Sequence, residues 1–151
     1  NFKYFFEDNL IFFSNYESHK EQNFIDNDKV CINFWWPNIE VQVRIEGTIS
    51  KCEEKFSDEH FQGRKPEKNV AALVSEQSKK IESYDLLKQK YEAMKERIEN
   101  GDYSHSRPDN WGGYQIKVHF FEFWEANDDR LNYRECYEKD NESWSKYFLQ
   151  S

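Results

Sequence analysis

Residues 111–134 read WGGYQIKVHFFEFWEANDDRLNYR, and the fold turns on how they are read. Tyr114, Ile116 and Val118 alternate with Gln115, Lys117 and His119, the period of a strand with one buried face. The alternation then fails. Phe120, Phe121, Phe123 and Trp124 crowd together, which predicts cover on both faces at that end. A turn-like Asn127-Asp128-Asp129 follows, and then Arg130 and Arg134. A strand that delivers an aromatic ring and two guanidiniums to one end fits the wall of a ligand site. It fits equally a core strand that ends in a solvated turn.

Upstream, residues 3–7 and 10–14 read as a strand pair around Asp8-Asn9. Ser18 is placed to cap a short helix through Phe24-Ile25, with Glu21 completing a capping box. Such a helix start, with a hydroxyl, a lysine and free N–H groups, can hold an anion; an ordinary capped surface helix fits the same residues. KVCINFWW (29–36) is a strand stopped by Pro37-Asn38. In the next strand Val41, Val43 and Ile45 face one way and Gln42, Arg44 and Glu46 the other, and Gly47 marks a bulge or a close approach. Helices are expected over 53–61, with Phe56 and Phe61 inward, over 68–78, and over 84–100 between Ser83 and Gly101. In the last, the Leu87, Tyr91, Met94 and Ile98 stripe is packing surface. Residues 102–110 form a polar loop, and 135–139 with 143–149 a final hairpin around Asp140-Asn141. Six or seven strands with three helices between them suggest a barrel with helical insertions, a mainly β, α+β chain.

At 151 residues the chain fits one domain, and its 18% aromatic content predicts a core built from rings. The net charge of −8 argues against nucleic acid, which needs a basic face, but leaves room for a few arginines around one small phosphate. Three cysteines without CxxC spacing argue against zinc and a disulfide framework and fit a reducing, cytoplasmic setting. There is no apolar run of membrane length and no signal-peptide pattern, so no membrane partner is expected. The chain opens on Asn1 rather than Met and runs straight into a strand, so a preceding segment is expected to be missing.

No Walker loop, GxGxxG, GxSxG or HExxH occurs, and the four histidines lack metal spacing. What remains, anion-binding residues and aromatic walls, suits a phosphorylated planar cofactor that carries the chemistry itself.

Four pieces then match one family in order: FFSNYESHK (12–20), VQVRIEG (41–47), FQGRKP with VSEQSKKI (61–81), and WGGY, EFW and RLNYR within 111–134. The chain resembles pyridoxamine 5′-phosphate oxidase from about Phe12 to its end. The resemblance implies an FMN-binding split β-barrel working as a homodimer, with FMN at the subunit interface. It implies FMN contacts at Phe13, Ser14, Ser18, His19, Lys20, Gln42, Trp124 and Arg134, and at Gln77 and Ser78 across that interface. His60, Arg64 and Lys68 would hold the substrate phosphate, and Arg130, Leu131 and Asn132 would lie over the substrate ring, with Arg130 and Asn132 nearest the chemistry. The implied reaction moves hydride from C4′ of pyridoxamine or pyridoxine 5′-phosphate to flavin N5, and dioxygen then gives peroxide. Four departures bear on this. His19 stands for Arg, His60 for Tyr, Lys68 for Ser, and Asn132-Tyr133 for His-Asp. The family's upstream strand, with an Arg for FMN and a Lys for substrate, falls outside the chain. Weakened or shifted substrate use is therefore expected, and an FMN- or pyridoxal-phosphate-binding protein of the same fold is the alternative. An FMN reductase-like or haem-linked split barrel is a third.

Overall fold

The computed structural model describes residues 2–103 and 106–151. Among the described residues, seven strands and four helices follow in the order β1 (Tyr4–Phe6), β2 (Asn9–Asn15), α1 (His19–Ile25), β3 (Lys29–Trp36), β4 (Val41–Lys51), α2 (Glu54–Gln62), α3 (Pro66–Val74), α4 (Tyr84–Glu99), β5 (Trp111–Glu125), β6 (Tyr133–Asp140) and β7 (Ser143–Phe148). All pairings are antiparallel in one sheet ordered β1-β2-β5-β4-β3, with β6 on β5 and β7 on β6.

β5 organises the sheet. One edge pairs with β4 from Tyr114 to Glu125. The other edge is divided: β2 takes residues 111–117 and β6 takes 120–125.

The bulge expected at Gly47 is present: the register jumps from Glu46↔Phe120 to Gly47↔Val118 and skips His119. Glycine is required there. A Cβ would lie 2.6 Å from both the Ile116 Cγ2 and the Lys117 carbonyl oxygen. Gly47→Ala is expected to cost about 2 kcal/mol by overpacking, read as a lower urea midpoint with an unchanged slope.

The buried cluster joins Val43, Ile45 and Ile49 of β4 to Tyr114, Ile116 and Val118 of β5. The core expected to be built from rings holds them in part: Tyr114 sits in this cluster and Phe61, Trp111 and Phe120 are buried as well, beside β-branched aliphatics. Phe12, Phe24, Phe34, Phe121 and Trp144 pack half-buried around it, because β-branched side chains suit the middle of a pleated surface better than rings do.

Some boundaries move. The first turn is Glu7-Asp8, both at positive φ (47° and 61°), which shifts the expected turn by one residue. The third helix spans Pro66–Val74 rather than 68–78. Pro66 opens it with a preset φ, and Ser78, at φ 72°, lies beyond its end in a chain reversal. The short helix after Ser18 is the fourth, where three were counted. In α4, Ser83 Oγ accepts from the Leu86 N–H at 3.1 Å, as expected of a cap. Ser104 and His105 of the expected polar loop lie outside the described residues. Cover on both faces of β5 holds at Phe120 but fails at Phe123, which is 39% exposed.

Candidate functional site

The start of β5 gathers the first group of residues. β2 lies against it so that Phe13 faces Gly113, Ser14 faces Gly112 and Asn15 faces Trp111. A Cβ at Gly112 would strike the Tyr16 ring, so glycine lets this crossing close. Ser14, Asn15 and Ser18 are all buried. The Lys20 ammonium donates to Ser14 Oγ at 2.8 Å and Ser18 Oγ at 3.0 Å, which leaves one of its three N–H bonds unspent. Burial lowers the Lys20 pKa, partly opposed by the Glu21 carboxylate. Gln77 Oε1 accepts from Ser14 Oγ (3.4 Å) and from the Asn15 N–H (3.3 Å), and Ser78 Oγ accepts from the His19 N–H (3.4 Å).

One expectation changes here. Ser18 precedes α1, but its hydroxyl makes no cap bond, and Glu21 pairs with Lys51 at 2.9 Å, so no capping box forms. The Ser18 hydroxyl is turned to Lys20 instead. Within the chain, Gln77 and Ser78 meet Ser14, Asn15 and His19.

A second group adjoins the first. His60, late in α2, stacks on Phe13 with ring centroids 3.6 Å apart and shares a 2.8 Å hydrogen bond with the Tyr4 hydroxyl. Arg64, in the turn between α2 and α3, lies 4.6 Å over the Trp111 ring, and its Nη2 donates to the Lys68 carbonyl at 3.0 Å. Burial lowers the Arg64 pKa. Arg64 and Lys68 line a cavity of about 240 Å³ with Asn15, Gln77 and Trp111, and no acidic residue lines it. Two buried donors there, Arg64 Nη1 and Asn15 Nδ2, have no partner. Buried donors are normally satisfied, so this pair is what an anion would complete.

His60 is held below its ordinary value near 6.5 by burial, by Arg64 and by Lys3. The folded chain therefore binds fewer protons than the unfolded chain just below that value, and this part of its stability is lost as pH falls through the window. We expect the urea midpoint to drop from pH 7.5 to 5.5, and the drop to be smaller in His60→Tyr.

The third group sits at the other end of β5. The sheet register sets Trp35, Gln42, Trp124 and Arg134 in one row across β3, β4, β5 and β6. Paired residues share a face, so the three predicted members of this row, Gln42, Trp124 and Arg134, point the same way. Trp35 and Trp124 are in contact, with centroids 6.3 Å apart. One row along, the buried Glu122 carboxylate takes Arg134 Nε on one oxygen (2.6 Å) and Arg44 Nε on the other (2.9 Å). Burial pushes the Glu122 pKa up, but the hydrogen bonds from Arg134 and Arg44 outweigh it and hold it below the usual range. Arg130, Leu131 and Asn132 form the turn leading into this row. Arg130 is at φ 61°, Leu131 is 76% exposed, and Asn132 Oδ1 accepts the Asn127 N–H at 3.1 Å.

The predicted residues thus fall into two places. The Ser14–Lys20 and Arg64 groups share one end of the 15-residue β5, and the Trp124–Arg134 row lies at the other. Gly112 and Trp124 stand roughly 40 Å apart along an extended strand.

Several residues escaped the sequence reading. Asn15 lay inside a quoted motif as a small polar residue between Ser14 and Tyr16. Glu122 carried a clearer signal, a carboxylate in a run expected to be covered on both faces. Tyr4 and Lys3 gave none, because only the β1–β2 pairing brings them beside His60. A lysine thus stands at this edge, where the family's lysine was expected to lie outside the chain. Among the described residues no His, Cys, Asp and Glu cluster could hold a metal, and no helix is long and apolar enough to cross a membrane. The three cysteines are free.

Comparison with known proteins adds the following. A family model described as pyridoxamine 5′-phosphate oxidase matches residues 2–97. A second, described as a pyridoxine 5′-phosphate oxidase C-terminal dimerisation region, matches residues 111–151. The chain is 36% identical to a pyridoxine/pyridoxamine 5′-phosphate oxidase of Colwellia psychrerythraea, over 95% of this chain and 65% of that one. It is 38% identical to pyridoxine/pyridoxamine 5′-phosphate oxidase 2 of Hydrogenovibrio crunogenus, over 97% of this chain and 68% of that one. It therefore spans about two thirds of the length of these relatives. Among solved structures it superposes on PhzG of Burkholderia lata 383, in complex with tetrahydrophenazine-1-carboxylic acid, with a TM-score of 0.85 at 25% identity, covering 99% of this chain and 72% of that one. An FMN-binding protein of Nostoc punctiforme shares the fold at a TM-score of 0.73 and 14% identity, covering 99% and 78%.

Proposed function

The chain belongs to the pyridoxamine 5′-phosphate oxidase family, and on that premise we propose that it binds FMN and oxidises pyridoxamine or pyridoxine 5′-phosphate to pyridoxal 5′-phosphate, with dioxygen as acceptor and hydrogen peroxide as product. The observation that carries this reading is the pair of unpartnered buried donors, Arg64 Nη1 and Asn15 Nδ2, in a cavity without carboxylates beside the Ser14–Ser18–Lys20 cluster.

The residues fit the cofactor. Lys20, with Ser14, Ser18, His19, Gln77 and Ser78, supplies a cation and hydroxyls for the FMN phosphate, and Phe13 walls that end. Gln42, Trp124 and Arg134 present an amide, an aromatic face and a guanidinium for the ring. FMN, when bound, supplies the hydride acceptor and the route to dioxygen. The protein's part is placement. Arg64, Lys68, His60 and Lys3 hold the substrate phosphate, Arg64 through its unpaired Nη1. Arg130, Leu131 and Asn132 close over the substrate ring and keep water from it.

One mononucleotide is far too short to join the two ends of β5 in a single chain. We therefore propose a homodimer in which the phosphate end of one chain faces the Trp124–Arg134 row of the other, with FMN between them. The C-terminal match to a dimerisation region supports this. A cytoplasmic location fits the three free cysteines.

A second reading is an FMN-binding protein with weakened turnover. It is favoured by Asn132, whose side-chain oxygen is tied to the Asn127 N–H rather than free for a substrate. Reconstitution with FMN followed by a peroxide assay separates the readings. The oxidase gives a yellow protein that releases peroxide and pyridoxal 5′-phosphate on adding pyridoxamine 5′-phosphate. A yellow protein with no peroxide sinks the oxidase and leaves the binder.

A further inference from the structure

Glu122 lies among aromatic residues of β5 yet is only 4% exposed and fully engaged. One oxygen takes the Nε and Nη2 of Arg134, both at 2.6 Å, and the other takes Arg44 Nε at 2.9 Å. Arg134 Nη1 donates to the Gln150 carbonyl at 3.1 Å. Of the five N–H bonds on Arg134, one on each terminal nitrogen therefore remains, and their direction is fixed by the carboxylate behind them. Arg44 also pairs with Glu46. Two arginines and two glutamates thus form one neutral chain on the face that carries Gln42 and Trp124.

We propose that Glu122 is a positioning residue, aiming the two remaining Arg134 N–H bonds at the flavin ring and, together with Glu46, neutralising the Arg44–Arg134 pair so that the ring meets no net positive charge. The inference rests on the reading of this face as the ring site. Its consequence is electronic. A net positive charge beside the ring favours the reduced, more anionic cofactor, and Glu122 withholds that charge.

The test compares the dissociation constants of oxidised and reduced FMN for the full chain and three variants. Glu122→Gln keeps an acceptor but loses the charge, and should favour reduced over oxidised FMN by about tenfold relative to wild type, a positive shift of about 30 mV for a two-electron couple. Arg44→Gln should move the ratio the opposite way by a similar factor. Glu122→Asp keeps the charge and should hold the ratio within about twofold. Opposite signs from two partners of one network would not arise from general damage to the fold. If Glu122→Gln does not fold, the sign of the Arg44→Gln shift decides. An unchanged ratio in Glu122→Gln, or shifts of the same sign in both, overturns the inference while FMN binding by wild type stands. A wild-type chain that takes up no FMN overturns the functional reading, and this inference with it.

Discussion

Replacing Arg64 with Met is expected to lower kcat/KM for pyridoxamine 5′-phosphate by about 100- to 1,000-fold. Arg64 brings a guanidinium into a cavity with no carboxylate, and its buried Nη1 has no protein partner. Hydrogen bonds to a charged group contribute about 1.5–3 kcal/mol each, and losing the charge with one or two such bonds removes about 3–4 kcal/mol of transition-state binding, at 1.36 kcal/mol per tenfold. Met keeps much of the side chain's bulk beside Trp111. Lys does not restore the rate, because the stacking over Trp111 and the bond to the Lys68 carbonyl both use the planar fork. Pyridoxamine without its phosphate serves as the control. Its slow turnover should be the same in wild type and variant, since the missing group is the one Arg64 would hold. Steady-state kinetics on both substrates checks this, and an equal loss on both would place Arg64 outside phosphate recognition.

Lys20→Met is expected to raise the FMN dissociation constant by about 30- to 100-fold and to leave riboflavin binding unchanged within about twofold. The ammonium already bridges Ser14 and Ser18 and keeps one N–H in reserve. Removing it deletes a charge-assisted bond to the cofactor phosphate and unties two buried hydroxyls, about 2–3 kcal/mol together. Riboflavin lacks the phosphate, so it isolates the ring half of the site. Quenching of flavin fluorescence reads both constants, and a matching loss for riboflavin would mean that Lys20 acts through the fold.

The strands were legible where alternation and breakers agreed. KVCINFWW forms β3 at Lys29–Trp36, and the register of β4 on β5 shifts at Gly47. The third helix was misplaced because its apolar run begins beyond Pro66, so the proline read as loop although it opens the helix. The site was legible only in pieces. Ser14, Ser18, Lys20, Gln77 and Ser78 were identified and do meet, but nothing local to residues 77 and 78 says that they fold back onto β2 of their own chain. The residues that complete the pockets were hidden for physical reasons. Asn15 matters because burial leaves its amide unpaired, and Lys3 because a hairpin carries it to His60. Both are properties of packing, and no spacing rule records them. The two-ended layout of β5 follows from the divided pairing of its edge, which also lies outside any sequence pattern.

On the proposed function, this chain passes a hydride from a phosphorylated pyridine substrate to FMN. The most direct measurement mixes the FMN-loaded chain with pyridoxamine 5′-phosphate without oxygen and follows the flavin absorbance. The account predicts bleaching of the yellow band with about one pyridoxal 5′-phosphate formed per flavin, and recovery of colour with peroxide release when air is admitted. A flavin that stays yellow while the substrate is bound at saturation would contradict it.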